Sequence, residues 1–325
     1  MGFLYSQLFV TPALPTTSYA KRTVIVTGSN TGLGLEAARH IARLNADKVI
    51  IAVRNVEAGK RAAESIEETT GRAGVCEVWQ LDLASFDSVK AFAARAASLE
   101  RLDVALLNAG VATEVFTLAE GHERTVMVNV LGTFLLALLL LPKLQSTATA
   151  FPDAAAPPHL TIVSSEVHGW AKFPERHSPS ILAALDNPAT KTMNERYPTS
   201  KLLEVLVIRE IAPRLTASAP GVVLNMLNPG LCHSELGRDS GIGLYLMKAV
   251  LARTTEVGSR TLVAGTVAGR ASHGKYMTDG QVADEEVVAW VKGAEGKEIG
   301  RRLWEEVRGV LEEAAPGATR VVGEA

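Results

Sequence analysis

Tyr197 and Lys201 stand four residues apart in YPTSK, a spacing that puts a phenol and an ammonium on one face of a helix. A phenol has a pKa of roughly 10 and is a poor base near neutral pH. A neighbouring ammonium favours the phenolate and brings the group toward the range where it can take or give a proton. A hydroxyl to polarise the reacting oxygen would complete such a site, and TIVSS supplies two, Ser164 and Ser165. Singly these residues mean little, since tyrosine and lysine meet on many helices by chance. The elements that carry them decide whether they act together.

From residue 22 onward short runs rich in Val, Ile and Leu alternate with longer segments of helical spacing. That texture predicts an α/β fold, a doubly wound parallel sheet of about seven strands in one domain, with helices on both faces. The expected strands cover 22–27, 48–53, 75–81, 103–107, 159–164, 221–227 and 275–278. Helices are expected near 32–45, 56–70, 85–99, 119–144, 197–216, 256–269 and 283–314. Residues 1–20 read as an N-terminal extension, 21–315 as the catalytic domain, and 316–325 as a flexible tail. The Ala- and Pro-rich stretch 146–158 reads as a surface excursion. The most apolar run, VLGTFLLALLLLP at 130–142, falls short of the roughly 20 residues that cross a bilayer, and Pro142 with Lys143 is expected to close it as a buried or interface helix.

The first strand ends at Thr27, and Gly28, Gly32 and Gly34 follow in TGSNTGLG before the first long helix. Strand, glycines and helix in that order suit a nucleotide: glycines permit a tight turn and close approach to a pyrophosphate, and the open N–H groups of a helix start attract the anion. About twenty residues on, where a carboxylate would hold the ribose 2′-hydroxyl of NAD, the second strand ends in Ala52, Val53, Arg54 and Asn55. A guanidinium there suits a 2′-phosphate, which favours NADP (NADPH) over NAD.

The spacing TGxxxGxG is not the common GxGxxG, and it resembles the short-chain dehydrogenase/reductase superfamily, classical type. The resemblance runs from about Lys21 to Ala315. WQLDLASFDSVKAF, LNPGLCHSEL and HGKY are similar to the retinol-dehydrogenase-like branch, and GFLYSQLFVTP resembles fungal members associated with secondary metabolism. The resemblance implies a Rossmann-type fold and a catalytic set of Asn129, Ser165, Tyr197 and Lys201. Ser165 then faces the substrate carbonyl, Ser164 is structural, and Asn129 in MVNVLG holds a water in a proton relay ending at Lys201. The implied cofactor contacts are Gly28, Asn30, Gly32, Leu33, Gly34, Arg54, Asp82, Asn108, Ala109, Gly110, Tyr197, Lys201, Pro229, Gly230, Leu231 and Ser234. Asp82 would bond the adenine, and Leu231 the nicotinamide carboxamide through its backbone. Two departures stand out: Leu107 replaces the first Asn of the NNAG motif, and Ser234 replaces the usual Thr.

Thirty-one residues separate Ser165 from Tyr197, more than twice what compact members use. This insert, 166–196, carries Trp170 and Phe173 and is expected either to lie over the cleft with aromatic walls for an apolar carbonyl compound or secondary alcohol, or to form a surface loop remote from the pocket. His168 and His233 lack metal-ligand spacing, so no metal is expected. A net charge of -2 excludes a general field for nucleic acid and leaves a small-molecule substrate as the expected partner. Two cysteines in a chain this size point to a reduced, cytoplasmic compartment. Weak contact of residues 1–15 with a membrane surface and assembly as a homodimer or homotetramer stay open. Two other functions share the motifs: an NADP-binding scaffold or sensor without turnover, and an epimerase or dehydratase that returns its cofactor unchanged.

Overall fold

Five-residue runs such as Thr23–Thr27 (TVIVT) and His159–Val163 (HLTIV) are buried at every position, as strands covered on both faces must be. The computed structural model describes residues 3–152, 154, 156–190, 193–218, 221–233 and 251–323. Its main sheet contains β1 (Thr23–Thr27), β2 (Lys48–Val53), β3 (Cys76–Gln80), β4 (Val104–Leu107), β5 (His159–Val163), β6 (Val223–Asn228), β7 (Tyr276–Thr278) and β8 (Gln281–Val282). The spatial order is β8-β7-β6-β5-β4-β1-β2-β3. All neighbours are parallel except β7 and β8. Chain order reverses between β1 and β4, and ligands of open α/β sheets bind beyond the carboxyl ends of strands at such a switch point.

Alternation along β1 sends Val24 and Val26 to one core and Ile25 to the other. The first core is closed by α2 (Gly32–Arg43), α3 (Val56–Thr70) and α7 (Thr255–Gly265) through residues such as Ile41, Ile66 and Leu262. On the other face α4 (Phe86–Ala97), α5 (Thr133–Ala150), α6 (Met193–Ser218) and α8 (Ala294–Ala314) supply Phe92, Phe134, Leu203 and Trp304. An N-terminal helix, α1 (Phe3–Phe9), lies outside these layers.

The structure departs from the sequence reading in five places, the first being that the helix expected from 119 begins only at Arg124, after a short antiparallel pair of Leu118–Ala119 with His122–Glu123. The main sheet has eight strands, because β8 is two residues long and too short to carry an alternation signal. Pro142 does not close the apolar helix, which continues to Ala150, so residues 146–150 are helical instead of part of a surface excursion. A proline removes one N–H from the ladder, and burial of ten residues of α5 outweighs that loss. The expected helix 283–314 is broken into a 3-10 turn at Asp284–Glu286, a short helix at Ala289–Lys292, and α8. The described residues of the expected flexible tail, 316–323, are packed: Ala318 and Val322 are buried in the core, and the turn Arg320–Val322 lies against α6 and α5.

Candidate active site

Gly28 and Gly32 both adopt left-handed backbone, with φ of 64° and 60°. Gly34, the third glycine, is needed for space: a Cβ there would lie 2.6 Å from the Gly28 carbonyl oxygen. Thr31 caps α2 without a side-chain bond to the helix, so no hydroxyl occupies the N–H groups at its start. Asn108 ties the turn to β4, donating through Nδ2 to the Thr27 carbonyl at 2.9 Å, while Thr27 Oγ1 accepts from the N–H groups of Asn108 and Ala109 at 2.9 Å each. The small residues Ala109 and Gly110 continue that floor. An open helix start over a floor without side chains fits a pyrophosphate and the sugar beyond it.

Arg54, at the end of β2, is exposed and makes no hydrogen bond or ion pair among the described residues. Its neighbour Asn55 is used locally, capping α3 by accepting from Ala58 N–H at 3.0 Å. Asp82 accepts from Ala84 N–H at 2.9 Å, a turn role that holds the end of β3. Asn30 lies on the glycine turn and Leu33 in the first turn of α2.

The chemistry-bearing residues converge from three elements. Ser165 follows β5 and caps a short 3-10 helix, Glu166–Trp170, its hydroxyl accepting from Val167 N–H at 3.4 Å and standing near enough to Tyr197 to favour the phenolate. Tyr197 and Lys201 lie on one face of α6, with Lys201 Nζ 5.8 Å from the phenol ring centre. Asn129 sits in a π-helical turn, Met127–Gly132, ahead of α5. Its amide clamps Val111 on both sides, accepting from the N–H at 2.8 Å and donating to the carbonyl at 2.9 Å, and it also donates to Ser200 Oγ. Ser164 is buried and donates to the Lys201 carbonyl at 3.3 Å, a structural bond.

Lys201 Nζ donates to the Val163 carbonyl and to Glu204 Oε1, each at 2.8 Å. Burial alone would pull the ammonium down, but Glu204 and Tyr197 more than offset it and hold it above its ordinary value. Burial pushes the Glu204 carboxyl up to about 7 against the attraction of Lys201. Burial also raises the Tyr197 phenol, outweighing the lowering by Lys201 that its spacing leads one to expect. Glu204 is thus a member of the site that the sequence reading missed. Its signal was its place, one helical turn beyond Lys201 on the same face.

The turn after β6 closes the site. Gly230 has a φ of 76° and its N–H donates to Asn228 Oδ1. Pro229 accepts from Arg253 through its carbonyl. The Leu231 N–H and C=O, which the resemblance gives to a carboxamide, are both bonded to the side chain of Gln7, another residue the sequence reading did not single out. Ser234 lies outside the described residues.

The insert between Ser165 and Tyr197 is a packed substructure. Phe173, expected to wall the cleft, is instead fully buried in the core, with left-handed backbone. Trp170 is half exposed and meets Phe3 edge to face at 6.0 Å. His168 is buried: its Nδ1 bonds the Ser165 carbonyl at 2.7 Å and its ring packs on Tyr276, while His233 is exposed. Among the described residues no group of three or more His, Cys, Asp or Glu side chains is placed to hold a metal.

The family model described as short chain dehydrogenase matches residues 22–150. The chain is 49% identical to short chain dehydrogenase/reductase dmxR8 of Cryptosporiopsis sp. over 98% of this chain and 99% of that protein. It is 42% identical to short-chain dehydrogenase anuD of Penicillium roqueforti, over 98% of this chain and 84% of the relative. Among solved structures, an uncharacterized protein from Mycobacterium paratuberculosis superposes with a TM-score of 0.68 at 26% identity, covering 91% of this chain and 96% of its own. Pseudomonas aeruginosa RhlG, solved with NADP, shares the fold at a TM-score of 0.60 and 21% identity, over 81% of this chain and 96% of its own. A 3-ketoacyl-(acyl-carrier-protein) reductase from Brucella melitensis, solved with NADH, shares it at 0.59 and 19%, over 80% and 97%. With near-complete coverage by a relative of this identity, and with the glycine turn, Ser165, Tyr197 and Lys201 gathered at the sheet's switch point, the chain belongs to the short-chain dehydrogenase/reductase superfamily of oxidoreductases.

Proposed function

We propose that this protein transfers hydride between NADP(H) and an apolar carbonyl compound or secondary alcohol, acting as a ketoreductase that tailors a secondary metabolite. The observation that carries the reading is the placement of Ser165 by Tyr197 with Lys201 one turn along α6, its Nζ beside Gly110 next to the glycine turn. When bound, the nicotinamide ring supplies or accepts the hydride. The work of this chain is proton handling and orientation. Ser165 Oγ donates a hydrogen bond to the carbonyl oxygen, and Tyr197 Oη gives that oxygen a proton as negative charge builds on it. In oxidation the phenolate takes the proton back. Lys201 stabilises the phenolate and, with the residues of the glycine turn, would hold the ribose. Asn129 fixes the Val111 backbone behind Gly110 and Lys201, which supports the relay.

Arg54 supports NADP as the cofactor, since an exposed guanidinium without a competing carboxylate stands where a 2′-phosphate would arrive. The fold itself accepts either form, as the NADP- and NADH-bound neighbours illustrate. Consumption of NADPH at 340 nm, followed with a panel of apolar ketones, tests the reading. Turnover with at least one ketone, lowered by about 10²–10⁴-fold in Tyr197→Phe, is the expected result. Cofactor that is bound but never consumed across the panel would contradict it.

A further inference from the structure

Gln7 is the one buried residue of α1, while Leu4, Tyr5, Leu8 and Phe9 on the same helix are exposed. The helix is therefore docked by its polar side, the reverse of ordinary surface helices. Its contacts are specific. Gln7 Oε1 accepts from Leu231 N–H at 3.0 Å, and its Nε2 donates to the carbonyls of Leu231 at 3.0 Å and Leu251 at 2.9 Å. One carboxamide thus satisfies both backbone groups of Leu231 and reaches the chain again at 251. Arg253 fastens the same region: it pairs with Asp279 at 2.7 Å, donates to the carbonyls of Ser6 and Val10, and reaches the Pro229 carbonyl. Ser6 Oγ donates to Asp279 Oδ2 at 2.6 Å. A Cβ on Gly230 would displace Gln7 Oε1 from its place, and the left-handed φ of 76° at this position itself favours glycine.

We infer that Gln7 is a positioning residue for the nicotinamide end of the cofactor, acting through the Pro229–Leu231 turn, so that the N-terminal helix is part of the active-site framework. The inference rests on the cofactor reading above. A buried side chain that makes three hydrogen bonds to backbone from 224 and 244 residues away fixes the course of that backbone, and loose backbone at a cofactor contact weakens binding. The Gln7 contacts lie on the turn after β6, far along the sheet order from Arg54 after β2. Its effect is confined to the half of the ligand that the turn meets.

The test compares a whole cofactor with a fragment. Affinities of the full-length protein for NADPH and for 2′,5′-ADP, which lacks the nicotinamide half, are measured by calorimetry in wild type, Gln7→Met and Gln7→Glu. Met keeps the volume and removes all three bonds; Glu keeps the acceptor for Leu231 N–H. The expected result is a loss of about 10-fold in NADPH affinity for Gln7→Met, a loss at least as large for Gln7→Glu, whose second oxygen faces the carbonyls of Leu231 and Leu251, and 2′,5′-ADP affinity unchanged in both. Equal losses for the two ligands would make Gln7 a general stabiliser and overturn the inference, as would unchanged NADPH binding. Tighter NADPH binding in Gln7→Met would show that Gln7 blocks Leu231, and would also overturn it. Wild type that binds neither ligand would remove the cofactor reading itself, and the inference with it.

Discussion

Lys201 Nζ and Glu204 Oε1 lie 2.8 Å apart, one turn along the same helix, and both side chains are buried. A buried pair of this kind is held by geometry, and removing one partner leaves an uncompensated charge. Glu204 therefore sets the electrostatic setting in which Lys201 and Tyr197 work.

The Glu204 carboxyl is raised by burial to about 7 from an ordinary 4.5. A carboxyl raised on folding holds its proton more tightly in the native state. Its contribution to stability is complete below about pH 4.5 and is lost as pH rises through about 7. The linked change is on the order of 3 kcal/mol. Chemical denaturation of Glu204→Gln at a series of pH values is expected to lack this fall between pH 4.5 and 7, whatever its absolute stability. An unchanged slope would place the titration elsewhere.

Gly34→Val puts side-chain atoms where Cβ alone already comes within 2.6 Å of the Gly28 carbonyl. Nicotinamide cofactor binding is expected to fall by more than about 10-fold, with the helix dichroism of the folded protein retained at 20 °C. Retained affinity would separate this turn from the nucleotide.

Phe173 belongs to the core, so Phe173→Ala is expected to destabilise the protein by about 3–5 kcal/mol. Thermal unfolding reads this directly. Trp170→Ala, half exposed and touching Phe3, is expected to change stability by less than about 1 kcal/mol. The reverse ranking would restore Phe173 to the cleft wall.

What the sequence made legible follows from range. Strands buried on both faces, the three glycines after Thr27, and the Tyr197–Lys201 spacing are local signals, and each falls in the element it calls for. Ser165 and Asn129 needed the family resemblance, because nothing in TIVSS or MVNVLG by itself sets one polar residue above its neighbours. Gln7 could not be read at all: its partners lie 224 and 244 residues away, and its helix looks like one with an apolar face to bury. The place of Phe173 is hidden for the same reason, since an aromatic in a Pro-rich insert shows its neighbours only once the chain is folded. Pro142 signals a helix end by intrinsic preference alone, and the burial of α5 overrides it.

The central claim is that the turn after β1 and Arg54 after β2 together hold NADP(H). Titration of purified protein with NADPH and NADH, followed by nicotinamide fluorescence in wild type and Arg54→Ala, tests it without knowledge of the substrate. The account predicts that NADPH binds more tightly than NADH in wild type, and that Arg54→Ala loses about 10-fold or more for NADPH with NADH unchanged. Binding of neither cofactor by wild type would contradict the account, leaving TGSNTGLG as a turn that only joins a strand to a helix.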